Sequence, residues 1–170
     1  MRRVRLSAAV SLDGYIAGPN GESDWIVMDP DIDFGALMSE FDTVLLGRKT
    51  YEATGRHGGG GMPGMQTYVF SHTLRQEDCP GVTVSNNPKE ILTRLKGADG
   101  KDIWLFGGGE LFRSLLELRL VDSVELAVIP VLLGQGVSLL PHPARREKLK
   151  LVNHRIYPKT GTVSLEYALV

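Results

Sequence analysis

The sequence predicts an α/β fold built on a mixed sheet, and three observations carry that reading. Short apolar, β-prone segments alternate with helix-forming ones from Val4 to Glu117. After that point strands predominate, with the alternation expected of antiparallel pairs. Twice, at Gly47 and at Gly107, an apolar strand ends in glycine where a helix begins.

Val4 to Ser11 reads as a first strand running into a turn at Asp13-Gly14. The glycines and Pro19 that follow mark a long loop, a candidate lid. From Pro30 the residues Ile32, Leu37, Met38 and Phe41 recur at helical spacing, with Asp31, Asp33 and Glu40 between them, which predicts an amphipathic helix. Thr43 to Leu46 is a short buried strand, and Arg48 to Glu52 starts a helix directly after Gly47. Gly55 to Gly64 is so rich in glycine that ordering it is costly in backbone entropy, and a mobile segment is expected there.

Thr67 to Ser71 and Val82 to Ser85 read as strands, Pro88 to Leu95 as a helix with Asn87 as N-cap, and Asp102 to Phe106 as a buried strand. Gly107-Gly108-Gly109 then opens a helix over Glu110 to Glu117. Val124, Leu126 and Val128 alternate with Glu125 and Ala127, and Val163, Leu165 and Tyr167 alternate around Ser164 and Glu166. One domain over residues 1-170 is expected, since 170 residues with 42% apolar content can bury one adequate core.

The charge balance, 19 basic against 20 acidic residues for a net charge of -1, provides no long-range field for nucleic acid or a membrane surface. An anionic ligand must therefore be held locally. The lone Cys79 excludes an internal disulfide and a multi-cysteine metal cluster and suits a reducing compartment. His57, His72, His142 and His154 lack the paired spacing of metal ligands, so no metal is expected. The N-terminal segment lacks the apolar core of a signal peptide, and no run is long enough to cross a bilayer; a cytoplasmic protein is expected.

Three glycine-bearing sites differ in weight, because glycine allows a backbone to approach a phosphate and present its N–H groups. Gly59-x-Gly61-x-x-Gly64 matches the dinucleotide pattern only literally, since no strand leads into it. Phe106-Gly107-Gly108-Gly109-Glu110-Leu111 is better placed, at the end of a strand and the start of a helix, with a tight structural turn as the alternative. Gly47-Arg48-Lys49-Thr50 adds two cations and a hydroxyl, suited to the 2'-phosphate and pyrophosphate of NADP; an ordinary solvated helix start is the alternative. Ser71-His72-Thr73 follows another strand and offers hydroxyls to a phosphate or simply forms a turn. Asp29, Asp31 and Asp33 stand where a carboxylate caps a helix or acts chemically.

Ser11-Leu12-Asp13-Gly14-Tyr15-Ile16-Ala17, Gly47-Arg48-Lys49-Thr50-Tyr51, Val69-Phe70-Ser71 and Phe106-Gly107-Gly108-Gly109-Glu110-Leu111 occur in the order seen in the dihydrofolate-reductase-like superfamily, which this chain resembles over most of its length. Leu120-Val121-Asp122 followed by Ile129-Pro130-Val131-Leu132-Leu133-Gly134-x-Gly136 resembles the branch containing the C-terminal reductase domain of bacterial RibD. The resemblance implies a three-layer α/β/α fold, with a mostly parallel central sheet and an antiparallel C-terminal hairpin. It also implies NADPH lying across the strand ends.

Residue by residue, the resemblance sets Ala9 and Ile16 against the nicotinamide, Arg48 and Ser71 at the 2'-phosphate, and Lys49 and Thr50 at the pyrophosphate. Gly47 and Phe106 belong to the same cofactor site, with Gly107, Gly108, Gly109, Glu110 and Leu111 along the phosphates. Phe112 falls near the nicotinamide side. Asp31 is the expected proton-assisting carboxylate, Asp33 its rival, and Trp25 an expected substrate contact. The implied activity is hydride transfer from NADPH to a pterin-like or pyrimidine-like heterocycle. A non-catalytic NADP(H)-binding module or sensor is the alternative, and a homodimer through the apolar C-terminal strands is expected in either case.

Overall fold

The computed structural model describes residues 1–55 and 61–170. The chain runs β1 (Val4–Ser11), β2 (Tyr15–Ala17), α1 (Phe34–Ser39), β3 (Phe41–Gly47), α2 (Arg48–Gly55), β4 (Gln66–Phe70) and, after a 3-10 turn at Gln76–Asp78, β5 (Thr83–Ser85). It continues through α3 (Pro88–Gly97), β6 (Asp102–Gly107), α4 (Gly109–Glu117), β7 (Ser123–Ile129), β8 (Val137–Ser138), β9 (Leu149–Tyr157) and β10 (Thr162–Leu169). The large sheet has the order β5-β4-β3-β6-β1-β7-β10-β9. It is parallel from β5 to β7 and closes in the antiparallel β10 and β9, as the sequence predicts. Among the described residues, no helix is long and apolar enough to cross a membrane.

Central strands read as continuous apolar runs because both faces are covered. Leu6, Leu45, Ile103 and Leu105 pack toward Leu92 and Leu95 of α3 and Leu111 and Leu115 of α4. The alternate residues Val44, Leu46 and Val69 pack on the other face, with Tyr51 of α2 against them. Leu45, Ile103 and Leu105 are fully buried, and each such side chain contributes about 1.5–3 kcal/mol. This dense centre holds the ends of β3, β4 and β6 in fixed relation.

The helix expected from Pro30 through Phe41 is much shorter. Asp33 is its N-cap, accepting from the Ala36 N–H at 2.9 Å, and Phe41 already belongs to β3, where its ring stacks on Trp104 at 5.9 Å. The apolar periodicity ran across an element boundary, because a strand residue fell in phase with the helix before it. α1 also buries none of its residues. Its apolar side chains have another setting, described below.

The C-terminal hairpin implied by the resemblance is β9-β10, but the residues of β9 and the small β2-β8 pair were not picked out by periodicity. β9 is an edge strand exposed along eight of its nine residues, with Lys150, Asn153, His154 and Arg155 breaking the apolar pattern. β2 and β8 have three and two residues, too few for periodicity to register. Of the glycine-rich segment expected to be mobile, residues 56–60 lie outside the described residues. Gly61 to Met65 form a turn in which the Met62 N–H donates to Thr67 Oγ1 at 3.2 Å.

Candidate active site

A cavity of about 1620 Å³ runs from the C-terminal ends of β3, β4 and β6 across one face of β1, β7 and β10. Pockets for a single small ligand occupy roughly 300–1,000 Å³, so this volume suits a long cofactor with a second ligand beside it.

One end is a glycine cradle. Leu46 of β3 pairs with Gly107 of β6, which brings Gly47 against the turn into α4. A Cβ on Gly47 would stand 3.5 Å from the Gly108 nitrogen, and one on Gly108 would stand 3.2 Å from Thr50 Oγ1. Gly109 is closed on its other side: a Cβ there would meet Pro141 Cδ and Ser138 O at 2.8 Å. Gly108 caps α4 without any side-chain hydrogen bond, whereas Asp33 and Asn87 cap their helices through side-chain oxygens. The first N–H groups of α4 therefore remain available to an anion, reinforced by the helix dipole.

Charge around the cradle is local, as the composition requires. Arg48 pairs with Glu52 at 3.0 Å one turn along α2, and Lys49 is exposed at the rim. Glu110, in the first turn of α4, is neutralised by Arg113 at 2.6 Å. Ser71 Oγ accepts from the Thr73 and Leu74 N–H groups at 3.1 and 3.0 Å, so it forms the turn while lining the cavity with His72 and Thr73.

Beyond the cradle the floor is the sheet itself. Ala9 and Ile16 line it, as does Phe106, whose ring meets Trp104 edge-on at 4.9 Å. Register sets Ser7 beside Glu125, Glu125 opposite Glu166, and Glu166 opposite Asn153, so these four form one cross-strand row. The neighbouring row is Ala9, Ala127, Ser164 and Arg155. Glu125 is held by Arg5, whose guanidinium donates to both carboxylate oxygens at 2.7 and 2.8 Å and to Glu40 at 2.5 Å. Burial works against the Arg5 charge, but the hydrogen bonds and charges of Glu125 and Glu40 raise its pKa overall. Neither Arg5, Glu125, Glu166, Asn153 nor Arg155 was singled out from sequence. Strand alternation alone does not show which polar residues share a row, although a charged Arg5 inside an apolar strand was a usable signal.

The opposite wall is apolar. Val27, Met28, Ile32, Phe34, Leu37 and Met38 line the cavity, and Val27 and Met28 are more than half exposed. Hence the apolar stripe of α1 faces the cavity rather than the core.

The structure brings together Ala9, Ile16, Gly47, Arg48, Lys49, Thr50, Ser71, Phe106 and Gly107 to Phe112 around one cavity, with Phe112 nearly buried in the core beneath it. It does not bring Asp31, Asp33 or Trp25 there. Asp31 reaches away to Lys159 at 2.9 Å, Asp33 caps α1, and the Trp25 indole donates to Glu22 O at 3.0 Å. The buried carboxylate of this segment is Asp29, 2% exposed, which accepts from Thr160 Oγ1 at 2.6 Å and the Asp31 N–H at 2.9 Å. The Thr160 hydroxyl holds its pKa below the usual carboxylate range. No group of residues suited to a metal ion occurs among the described residues.

Loop one is anchored at its start. Asp13 accepts from Ser11 Oγ, the Leu133 N–H and the Gly134 N–H, and β2 pairs with β8 immediately beyond. The two sequence motifs flanking this contact, Ser11 to Ala17 and Ile129 to Gly136, thus meet in space.

The model of the RibD C-terminal domain matches residues 2–162. The chain belongs to the RibD C-terminal domain family. Among its relatives is the uncharacterized protein YyaP of Bacillus subtilis (strain 168), 37% identical, with 98% of this chain and 94% of YyaP covered. A solved structure of a Shewanella sp. PV-4 protein named for riboflavin biosynthesis superposes with a TM-score of 0.83 at 24% identity, covering 99% of both chains. Dihydrofolate reductase from Enterococcus faecalis, solved with NADP(H), superposes with a TM-score of 0.73 at 20% identity, covering 98% of this chain and 96% of that one. This RibD C-terminal domain protein therefore has the dihydrofolate-reductase-like fold.

Proposed function

We propose that this chain is a cytoplasmic NADPH-dependent reductase, working as one domain, that delivers hydride to a pterin-like or pyrimidine-like heterocycle. The observation that carries the proposal is the cradle of Gly47, Gly107, Gly108 and Gly109 at the side-chain-uncapped start of α4, opening into a floor long enough for a second ligand. A dinucleotide fits these residues: glycines where a Cβ would close the gap, free helix N–H groups for phosphates, and Arg48, Lys49, Thr50 and Ser71 beside them for a 2'-phosphate and pyrophosphate. Ala9, Ile16 and Phe106 line the floor beyond the cradle and form the nicotinamide contact in this reading. When bound, NADPH supplies the hydride. The chain's own residues orient the ring over β1 and exclude water with the apolar wall of loop one and α1.

The outward setting of Asp31 favours a second reading, an NADP(H)-binding module or sensor without turnover. Both readings accommodate a homodimer through the edge strand β9, where Leu149, Leu151 and Ile156 expose apolar surface beside unpaired backbone groups. Thermal stabilisation by NADPH and NADH tests the cofactor site. A ligand at about 100 times its Kd adds roughly 2.7 kcal/mol, so NADPH should raise the Tm more than NADH, and Arg48→Ala should abolish the difference. No shift with either nucleotide would refute the cofactor site. Binding of NADPH without its oxidation by pterin or pyrimidine substrates would select the sensor.

A further inference from the structure

We infer that the second ligand is read by the last two strands of the sheet: Glu166 with Asn153 recognises an N–H donor edge of a planar heterocycle, and Arg155 an anionic substituent on it. The inference rests on the proposed function for the position of the cofactor. It stands on three observations.

First, Glu125 and Glu166 are directly opposite across the antiparallel β7-β10 pair, a placement that is unfavourable when both carboxylates are unpartnered. Arg5 and Ser123 Oγ engage Glu125, at 2.7 and 2.9 Å to one oxygen. Glu166 has no ion-pair or hydrogen-bond partner among the described residues, although it lines the cavity. The row thus presents one neutralised and one uncommitted carboxylate. A ligand that donates two N–H groups, such as a cyclic guanidine or an amide flanked by an amine, satisfies Glu166; beside it Asn153, whose Oδ1 already accepts from the His154 N–H at 2.8 Å, offers its Nδ2 as a donor.

Second, the adjacent row places Arg155 opposite Ser164, one step along the same cavity face. Arg155 makes no ion pair among the described residues. Its guanidinium lies over the Tyr157 ring at 4.7 Å, which orients the cation while leaving its N–H groups for a carboxylate or phosphate. Third, Phe34, Leu37 and Met38 bound the same cavity with apolar side chains. An apolar wall against a polar sheet floor suits a flat ring that stacks on one side and hydrogen-bonds along its edge.

The test titrates pterin, a cyclic guanidine without a tail, and folate, the same ring with a carboxylated tail, into wild type, Glu166→Gln and Arg155→Ala. Each titration is run with and without saturating NADPH, after NADPH binding has been measured in the same samples. Glu166→Gln should weaken both probes by about tenfold to a hundredfold, the range for losing hydrogen bonds to a charged group. Arg155→Ala should weaken folate alone, and NADPH affinity should be unchanged in both variants. Both substitutions are at half-exposed or exposed positions, and an unaltered Tm verifies folding. Loss of NADPH binding in wild type would refute the cofactor reading, while the titrations without NADPH still judge the sheet floor. NADPH binding accompanied by unchanged probe affinity in Glu166→Gln, or by no probe binding to wild type, would overturn this inference and leave the cofactor reading intact.

Discussion

The Gly134 N–H donates to Asp13 Oδ2 at 2.8 Å, joining the turn after β1 to the segment after β7. With the Leu133 N–H on Oδ1 at 3.1 Å, one carboxylate ties together the two segments that flank the Ile16 end of the cavity. In Asp13→Ala, amide exchange across residues 131–138 should accelerate and the Tm should fall. Hydrogen-exchange mass spectrometry measures this directly. Unchanged exchange would mean that the β2-β8 pair alone holds the two segments.

Acid should loosen the Asp13 contact and the separate one between Asp29 and Thr160. The Ser11 hydroxyl lowers the Asp13 pKa, and the Thr160 hydroxyl lowers that of Asp29. A carboxylate whose folded pKa lies below its unfolded value of about 3.9 contributes stability that is fully present above that value. The contribution is lost as pH falls through the folded pKa. Tm should therefore be nearly level from pH 7 to about 5 with respect to these groups and drop below about pH 4. Asp29→Asn should show a shallower acid limb, and an identical limb would remove Asp29 from the account.

Gly109→Ala should disturb the cradle sterically. The added methyl would meet Pro141 Cδ and Ser138 O at 2.8 Å, well inside contact distance. Overpacking of this kind costs about 1–3 kcal/mol, equivalent to a Tm loss of roughly 2–12 °C for a chain of this size. NADPH affinity should fall with it, because the start of α4 must move.

The β1 arginine has an energetic role that unfolding measures directly. Arg5 is 8% exposed at its side chain and holds Glu125 and Glu40. Arg5→Met should destabilise by about 3 kcal/mol, because removing one partner leaves buried charge uncompensated. Arg5→Met with Glu125→Gln should recover part of that loss in urea unfolding. A double variant no better than the single would show that packing, rather than charge, dominates at Arg5.

Much of this architecture was legible in the sequence because local chemistry decided it. Strands β1, β3, β4 and β6 are apolar runs bounded by turn formers, β7 and β10 show strand alternation, and Asn87 caps α3 as its residue type predicts. The cradle was legible because glycine at a strand-to-helix junction has few local explanations. The setting of Asp31 was not legible, since its pairing with Lys159 depends on a turn 128 residues away. The Glu125-Glu166-Asn153 row was hidden for a related reason: it exists only once three strands are in register.

The short α1 divides labour within the chain. Because it buries none of its residues, folding places little demand on the identities of Phe34, Leu37 and Met38, and the sheet places little demand on them either. In the proposed reading, ligand preference can then drift through substitutions in this wall while the glycine cradle and the central strands stay as they are. A scaffold arranged this way is permissive: successive variants can explore new ring systems without passing through unfolded intermediates in sequence space.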